Sequence, residues 1–379
     1  QFIKVVFNEP VFGNNHALAE NRTAVAHFQI KTFNQNGGTA TLTANSGDEI
    51  NGIEYEDGAE LGAGATTIRL FLNPTDTPNG LESFTIAPFD NASVYDRAGN
   101  VTPTTEETVE VTLFDETKPV VSIDRDIIDI GNTFEAVTYV KNISEDGTVD
   151  IQLSATDAKS TADNALTVSF EVNGVAMDAS LPDGTNTITS GGGPFTVALD
   201  EDEDLADGTY NGSCVDAGNI PTGHITRESC ISAGNTWKGF VVLVTDEAGN
   251  VGTKTAANFV YDSSAPLITS VQPAADNSYV TVIFENEEMF GESDATIPLA
   301  KGDFSLSITG GTAILLDDDD DDDNEIKPND IKNISGGNVA AGDNVFLLYF
   351  EVDGTANGEE VITVLPANNQ SIYDVAGNR

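Results

Sequence analysis

The chain has 379 residues, of which 62 are Asp or Glu and 16 are Lys or Arg, so its formal net charge is −46. A surface this acidic repels nucleic acid and anionic lipid, so we expect no nucleic-acid partner and no direct membrane insertion. No stretch approaches the roughly 20 apolar residues that cross a bilayer. Two interpretations of the charge stay open: a soluble, salt-adapted surface, or acidic groups partly neutralised by divalent cations.

Residues 1–117, the first segment, are predicted to form short strands joined by tight turns. Val, Thr, Asn, Asp and Gly recur along it, as is typical of such strands and turns. The segment opens on the strand pattern Phe2–Phe7 with no signal peptide before it. That beginning favours a processed product or a window from a longer chain.

The middle segment, residues 118–263, has a different strand pattern. Apolar residues alternate in Val149–Ala155 and in Leu166–Val172, which predicts two strands with one buried face each. Asn173-Gly174, directly after the second strand, is a hairpin turn signal. Asp207–Tyr210 resembles the start of a strand that resumes at Gly239–Val244, so residues 211–238 are predicted to be an insertion.

The last segment, residues 264–379, repeats the first. The pattern of Val5–Phe12 recurs at Val282–Phe290, and Gly37–Leu42 recurs as Gly310–Leu315. A strand predicted at Pro266–Val271 has no counterpart in the first segment. Because an uncovered sandwich edge is costly, we expect upstream residues or a neighbouring molecule to supply that strand.

One acidic turn, of the pattern D-x-A-G-N, occurs once in each segment, at residues 96–100, 246–250 and 374–378. The first two turns lie upstream of proline linkers, which begin with Asp115-Glu116 and with Asp262. Proline stiffens such links because it fixes φ and restricts the residue before it. The three turns therefore predict a tandem array.

Strand-rich units that run from an Asp-and-Pro linker to a D-x-A-G-N turn resemble the bacterial Ig-like domains of giant cell-surface adhesins. The resemblance covers the whole chain as a pattern and is strongest in the middle segment. It implies an all-β fold of three tandem Ig-like β-sandwiches, residues 1–117, 118–263 and 264–379, in an extended extracellular rod. In some such adhesins calcium lies at the joints between domains, where the turn Asp and the Asp of the following linker bind it.

The residues themselves also suit calcium, which takes six to eight oxygen ligands. We predict two groups of ligands, one at each joint: Asp96, Asn100, Asp115 and Glu116 at the first, and Asp246, Asn250 and Asp262 at the second. Asp374 is a further predicted ligand, and it has no linker acid after it, which favours an array that continues. The alternative is that each motif is only a turn, in which Asp caps, Gly takes a positive φ and Asn tolerates a left-handed backbone.

Cys214 and Cys230, the two cysteines, lie inside the insertion. A disulfide between them would stabilise the fold by about 3 kcal/mol in the chain-entropy model and would imply an oxidising compartment. Zinc is disfavoured because His224 is the one further ligand that the insertion offers. Trp237 is expected either to pack on the disulfide or to stack on a sugar from an exposed position.

Two acidic runs, Asp200–Asp204 and Asp317–Asp323, also have two interpretations. They are either solvated loops or low-affinity surfaces for cations or partners. The three histidines are scattered, and no G-x-S-x-G, H-E-x-x-H or phosphate-loop motif occurs, so we do not expect an enzyme.

These observations favour a non-catalytic structural segment of a bacterial cell-surface adhesin or extracellular filament, stiffened by Ca²⁺ at its joints. Its expected partners are neighbouring Ig-like domains or copies of itself, with surface glycans or proteins as further candidates. Two other functions stay open. One is a self-assembling filament or surface-layer subunit that uses strand donation, and the other is a glycan-binding module with the insertion as its binding loop.

Overall fold

A computed structural model of the chain describes residues 1–14, 22–125, 131–141, 149–159, 165–177, 179–180, 185–199, 208–218, 220–223, 226–284, 287–316 and 326–379. Within these residues the chain is almost entirely β-structure, which confirms the all-β prediction. The same residues include one α-helix, α1 (Arg227–Ser232), and two short 3-10 helices at Val25–His27 and Lys301–Asp303. None of the described helices has the length and apolar character of a membrane span. Both acidic runs lie outside the described residues.

The described part of the first segment has two facing sheets. One has the strand order β1-β4-β3 and the other β2-β5-β6. Their inner faces share a hydrophobic core that includes Ile30, Ile68, Leu70 and Phe84. The strands are β1 (Phe2–Val11), β2 (Phe28–Asn34), β3 (Ile50–Glu54), β4 (Ala65–Leu72), β5 (Ser83–Pro88) and β6 (Val111–Thr112).

The middle segment contains more strands and a separate core. The predicted hairpin at Asn173-Gly174 is confirmed: both residues have positive φ, and Val172 pairs with Val175 across the turn. The strands are β7 (Val120–Arg125), β8 (Asn132–Phe134), β9 (Val137–Lys141), β10 (Val149–Thr156), β11 (Ala165–Val172), β12 (Val175–Met177), β13 (Ala179–Ser180), β14 (Thr187–Thr189), β15 (Phe195–Leu199), β16 (Gly208–Tyr210), β17 (Ser213–Val215), β18 (Thr236–Lys238), β19 (Phe240–Thr245), β20 (Val251–Thr255) and β21 (Phe259–Asp262).

Three sheets surround this core. Their strand orders are β13-β15-β10-β7, β12-β11-β19-β20 with β14 also on β11, and β16-β21-β9-β8. The prediction that Asp207–Tyr210 and Gly239–Val244 form one interrupted strand is wrong, because β16 and β19 lie in different sheets. The chain changes sheets where Gly212 and Gly239 touch: a Cβ on Gly239 would lie 3.0 Å from the Gly212 nitrogen.

The insertion between those glycines is a small disulfide-linked unit. Cys214 in β17 is bonded to Cys230 in α1, and Trp237 in β18 pairs with Cys214. Trp237 is 7% exposed and packs on the disulfide with Val241 and Leu243, so the packing interpretation is confirmed.

The last segment has the architecture of the first. Its larger sheet has the order β22-β23-β27-β26, and β24 pairs with β29 in the facing layer. Phe2 lies opposite Phe71 in the first segment, as Tyr279 lies opposite Tyr349 in the last. The strands are β22 (Ile268–Pro273), β23 (Tyr279–Phe284), β24 (Phe304–Thr309), β25 (Ile314–Leu315), β26 (Asp330–Asn333), β27 (Val345–Tyr349), β28 (Val352–Asp353) and β29 (Val361–Pro366).

One hydrogen bond also recurs between the two segments, buried in the first and partly buried in the last. The carboxylate of Glu82 accepts from the Ala40 nitrogen at 2.9 Å, and that of Glu360 accepts from the Ala313 nitrogen at 3.2 Å. The first, middle and last segments each have a main hydrophobic cluster whose residues come from that segment alone.

Candidate metal centre

The three D-x-A-G-N motifs form the same turn. In the middle copy Asp246 Oδ1 accepts from the Asn250 backbone nitrogen at 2.8 Å, and Asp246 Oδ2 accepts from Asn250 Nδ2 at 2.9 Å. The same two bonds occur in the first and last copies. The glycine of each copy has a φ between 87° and 94°, which only glycine adopts without strain. Each motif is therefore a self-contained turn, and any metal-binding role is additional.

The turns differ in burial because two of them are covered by a linker. Asp246 and Asp374 are 8% and 1% exposed, whereas Asp96 is partly exposed. Asn250 Nδ2 donates to the backbone oxygen of Asp115 at 3.0 Å. In the same way Asn378 Nδ2 donates to the backbone oxygen of Asp262 at 2.8 Å. Each linker is therefore held by the turn of the segment that follows it.

This arrangement differs from the predicted grouping, in which each turn met the linker after it. In the first segment Tyr95 bridges Phe12 at one end of β1, while the Gln1 side chain bonds to the Phe114 backbone at the other end. A ten-residue strand at about 3.3 Å per residue separates the two ends by roughly 30 Å. The strand that follows the turn therefore carries the chain to the opposite end of the segment, and the linker begins there.

The predicted ligands are redistributed as a result. Asp96 and Asn100 lie at the end of the first segment far from Asp115 and take no part in the first joint. Glu116 is exposed, and its carboxylate is not among those that converge at the first joint. The prediction that Asp374 lacks a linker partner is wrong, because its turn holds Asp262.

At the first joint three carboxylates converge from three parts of the chain. Oxygen atoms of Asp115, Asp157 and Asp246 all lie within 4.8 Å of one another. Asp115 comes from the linker and is 1% exposed, Asp246 comes from the turn, and Asp157 directly follows β10. Asp157 Oδ1 is buried and has no hydrogen-bond partner, so one acceptor of the three residues is unsatisfied.

Burial and mutual repulsion disfavour the ionised form of the carboxyl groups in this cluster. Burial raises the pKa of Asp157, and the charges of Asp115 and Asp246 raise it further. Burial likewise raises the pKa of Asp115, with contributions from Asp246 and Glu82. Lys159 and the Thr117 N–H, which donates to Asp115 Oδ1 at 2.9 Å, act in the opposite direction but do not cancel these effects.

The second joint has acids in corresponding places. Asp262 is the linker acid and Asp374 the turn acid, and Asp262 is near enough to Glu287 of the last segment for its charge to raise the pKa of Glu287. Burial raises the pKa of Asp374 to about 7, and the charge of Asp262 adds to the rise. Glu287 Oε2 is buried without a hydrogen-bond partner. Among the described residues, however, only the first-joint cluster brings three acidic side chains within 4.8 Å of one another.

An apolar contact fixes the second joint. Phe134, at the tip of the β8–β9 hairpin of the middle segment, packs edge-on against Phe290 of the last segment, with ring centroids 5.2 Å apart. Ala295 and Val375 complete the pocket. Asn132 Nδ2 donates to the backbone oxygen of Ser293 at 2.6 Å. This joint therefore has a packed interface besides its acids.

The first-joint cluster suits a hard divalent cation. Oxygen ligands of Ca²⁺ lie about 2.3–2.6 Å from the ion, so ligands on opposite sides are about 5 Å apart. Three carboxylates within 4.8 Å match that span. Asp115, Asp157 and Asp246 would hold the ion, and the unsatisfied Asp157 Oδ1 would gain a partner. Sequence reasoning missed Asp157, although its position directly after a predicted buried strand was a usable signal.

Comparisons with known proteins do not assign this chain to a family. No family model matches it, and no curated protein matches it. Among solved structures, one described as a marsupial T cell receptor aligns over 97% of this chain and 96% of its own. The identity is 12% and the TM-score 0.27, a likeness too distant to support any argument about fold or function.

Proposed function

We propose that the chain is a non-catalytic structural part of a bacterial cell-surface adhesin or extracellular filament. In this proposal three Ig-like sandwiches follow one another, and Ca²⁺ at the joints fixes the angle between neighbours. The cluster of Asp115, Asp157 and Asp246 is the observation that supports it most strongly, because it joins a linker acid to two acids of the next segment.

The spacing of the three acids makes the closed first joint costly without a cation. Two unit charges about 4 Å apart interact by about 4 kcal/mol at an effective dielectric constant of 20. Three carboxylates within 4.8 Å, two of them on buried residues and one on a partly buried residue, therefore oppose the closed joint when they are ionised. A divalent cation among them converts this repulsion into attraction and links the first segment to the middle one.

The second joint would respond to calcium more weakly. The charge of Asp262 repels both Asp374 and Glu287, but the Phe134–Phe290 contact holds the two segments together without an ion. Calcium removal should consequently loosen the first joint more than the second.

The extracellular, bacterial setting and the partners are part of the proposal. The disulfide and the strongly acidic surface support an oxidising, extracellular location. Glycan binding through the insertion stays a prediction, but Trp237 is buried and does not offer a stacking surface.

Small-angle scattering and thermal melts, each with calcium and with chelator, test the proposal. Chelation should lower the melting temperature and broaden the distribution of intersegment angles. Unchanged dimensions and unchanged melting would refute the calcium claim.

The three turns supply a matched control. Asp246→Asn removes a carboxylate from the first-joint cluster and one turn hydrogen bond, and Asp96→Asn removes the same turn bond far from that joint. The calcium effect on scattering should shrink in Asp246→Asn and persist in Asp96→Asn. Equal effects of the two substitutions would show that the turn, and not the acidic cluster, responds to calcium.

A further inference from the structure

The first and last segments share one architecture, yet each leaves a different sheet edge uncovered. Among the described residues β1 pairs only with β4, whereas its counterpart β23 pairs with both β27 and β22. In the facing layer β5 pairs with both β2 and β6, whereas its counterpart β29 pairs only with β24. Each segment thus shows which strand covers the other's open edge.

The exposure of β1 records the uncovered edge. Five of the six residues Phe2–Phe7 are more exposed than their counterparts in Tyr279–Phe284, and the sixth, Val5, is buried in both places. Phe2 and Val6 remain 52% and 66% exposed. The difference follows from β22, which lies against β23 in the last segment.

A groove follows the whole length of this edge. Two adjoining cavities of about 620 and 330 Å³ lie between β1 on one side and β5, β6 and the chain near Thr108 on the other. Half-buried Ile3, Phe7 and Val111 line the groove and pack on the core. A six-residue strand is about 20 Å long, which matches a groove that extends from Gln1 to Asn8.

The edge of β29 in the last segment lacks the strand that β6 provides beside β5 in the first segment. All six residues of β5, which pairs with β6 at Ser83 and Phe84, are buried, but only one of the six residues of β29 is buried. Val361 and Leu365 are 59% and 57% exposed. A cavity of about 580 Å³ lies between β29 and β22, on the side that β6 occupies in the first segment.

We infer that the groove beside β1 and the open edge of β29 are strand-docking sites. The groove beside β1 takes an extended polypeptide strand of the β22 type, which is uncharged and has apolar residues at the positions of Ile268 and Val271. The edge of β29 takes a strand of the β6 type, with apolar residues at the positions of Val111 and Leu113. This inference goes beyond the proposed function and does not depend on calcium.

The last segment fixes the register of the first site. Val271 pairs with Val282 and Ser270 with Ile283. The equivalent partners on β1 are Val5 and Val6, so a docked strand runs antiparallel to β1. Its Ile268 position then lies beside Phe7. Main-chain hydrogen bonds supply affinity in such strand addition, and the alternate side chains supply specificity.

The first segment fixes the second site in the same way. The Thr108 nitrogen donates to the Ile86 oxygen and the Leu113 nitrogen to the Glu82 oxygen, each at 2.9 Å. The equivalent acceptors beside β29 are the backbone oxygens of Val364 and Glu360.

Synthetic peptides and the full chain test both sites together. One peptide copies Pro266–Ala274 and the other copies Thr108–Asp115, and hydrogen exchange is followed in β1 and β29. The first peptide should slow exchange in β1 by about tenfold or more and leave β29 unchanged, and the second should do the reverse. A first peptide with Ile268→Asp and Val271→Asp should have no effect.

Cross-linking tests the register without disturbing the core. Val6→Cys on the exposed face of β1 should form a disulfide with a peptide that has Ser270→Cys, faster than with one that has Gln272→Cys. Equal rates would contradict the predicted pairing.

A graft covers the case in which free peptides bind too weakly to detect. Residues Pro266–Asn277 are placed directly before Gln1, with the doubly Asp-substituted graft as control. Protection of β1 by the unsubstituted graft alone supports the inference. Failure of both peptide and graft to protect β1, or equal protection by the Asp-substituted forms, would overturn it.

Discussion

Asp374 offers a sharp test of how the joints respond to charge. It is 1% exposed, and burial together with the charge of Asp262 raises its pKa from 3.8 to about 7. The folded chain therefore binds a proton between pH 3.8 and about 7 that the unfolded chain has already lost. Stability from this group is greatest below pH 3.8 and falls as the pH rises through this window. Each pKa unit corresponds to about 1.4 kcal/mol, so the full penalty is about 4 kcal/mol.

We expect the last segment, in chelator, to resist urea better at about pH 5 than at about pH 8. Asp374→Asn should reduce this pH dependence, because the amide does not ionise. A smaller dependence should remain, because burial also raises the pKa of Glu287 and of Asp303 in the same segment. Asp374→Asn also removes the hydrogen bond from Asn378 Nδ2, and Asp96→Asn, which loses the equivalent bond, controls for that loss. Unfolding is followed by hydrogen exchange in the last segment, since a chain with several cores need not unfold in one step.

Calcium should flatten the same pH dependence, because a bound cation favours the ionised form of Asp374. If the wild-type chain in chelator has the same pH dependence as Asp374→Asn, ionisation of Asp374 does not lower the stability, and the prediction is refuted. A carbon-13 titration of the Asp374 carboxyl group with a midpoint near 4 in chelator would also refute it.

Three further predictions follow from the packing and the turns. Replacing Cys214 and Cys230 together by Ser should lower the stability of the insertion by about 3 kcal/mol and shift the fluorescence of Trp237 to the red as the indole becomes solvated; an unchanged spectrum would contradict the packing on the disulfide. Phe134→Ala should weaken the second joint by about 1–3 kcal/mol and widen its angular distribution in small-angle scattering even with calcium present, whereas unchanged scattering would show that the Phe290 contact does not hold the joint. Gly249→Ala should lower the free energy of unfolding by about 1 kcal/mol, because Gly249 has a positive φ. Gly377→Ala should lower it more, because the added Cβ would also lie 2.6 Å from the Ser293 oxygen. Equal losses of stability in urea unfolding would contradict that close approach.

Local patterns in the sequence predicted several of the strands. Alternation in Leu166–Val172 and the Asn173-Gly174 signal gave β11 and its hairpin, because both depend on neighbouring residues. The disulfide was also predictable, since Cys214 and Cys230 are the only two cysteines. The change of sheet between β16 and β19 was not, because it depends on the contact of Gly212 with Gly239 across the insertion.

The candidate site was predictable by residue type but not by grouping. Asp115 and Asp246 were both predicted ligands, yet they were assigned to different joints. The error arose from chain direction: one strand after each turn moves the linker acid to the opposite end of the segment. Asp157 lacks a repeated motif, and its place in the cluster becomes visible only when β10 brings it beside the turn.

Calorimetric titration of the chelator-treated full chain with calcium directly tests whether Asp115, Asp157 and Asp246 bind the ion at the first joint. Asp157→Asn is the decisive variant, because it removes the carboxylate that bears the unsatisfied Oδ1 and leaves the Asp246–Asn250 turn intact. We expect wild type and Asp96→Asn to bind calcium alike and Asp157→Asn to lose the tightest site. No calcium uptake by wild type, or identical titrations of wild type and Asp157→Asn, would contradict this expectation.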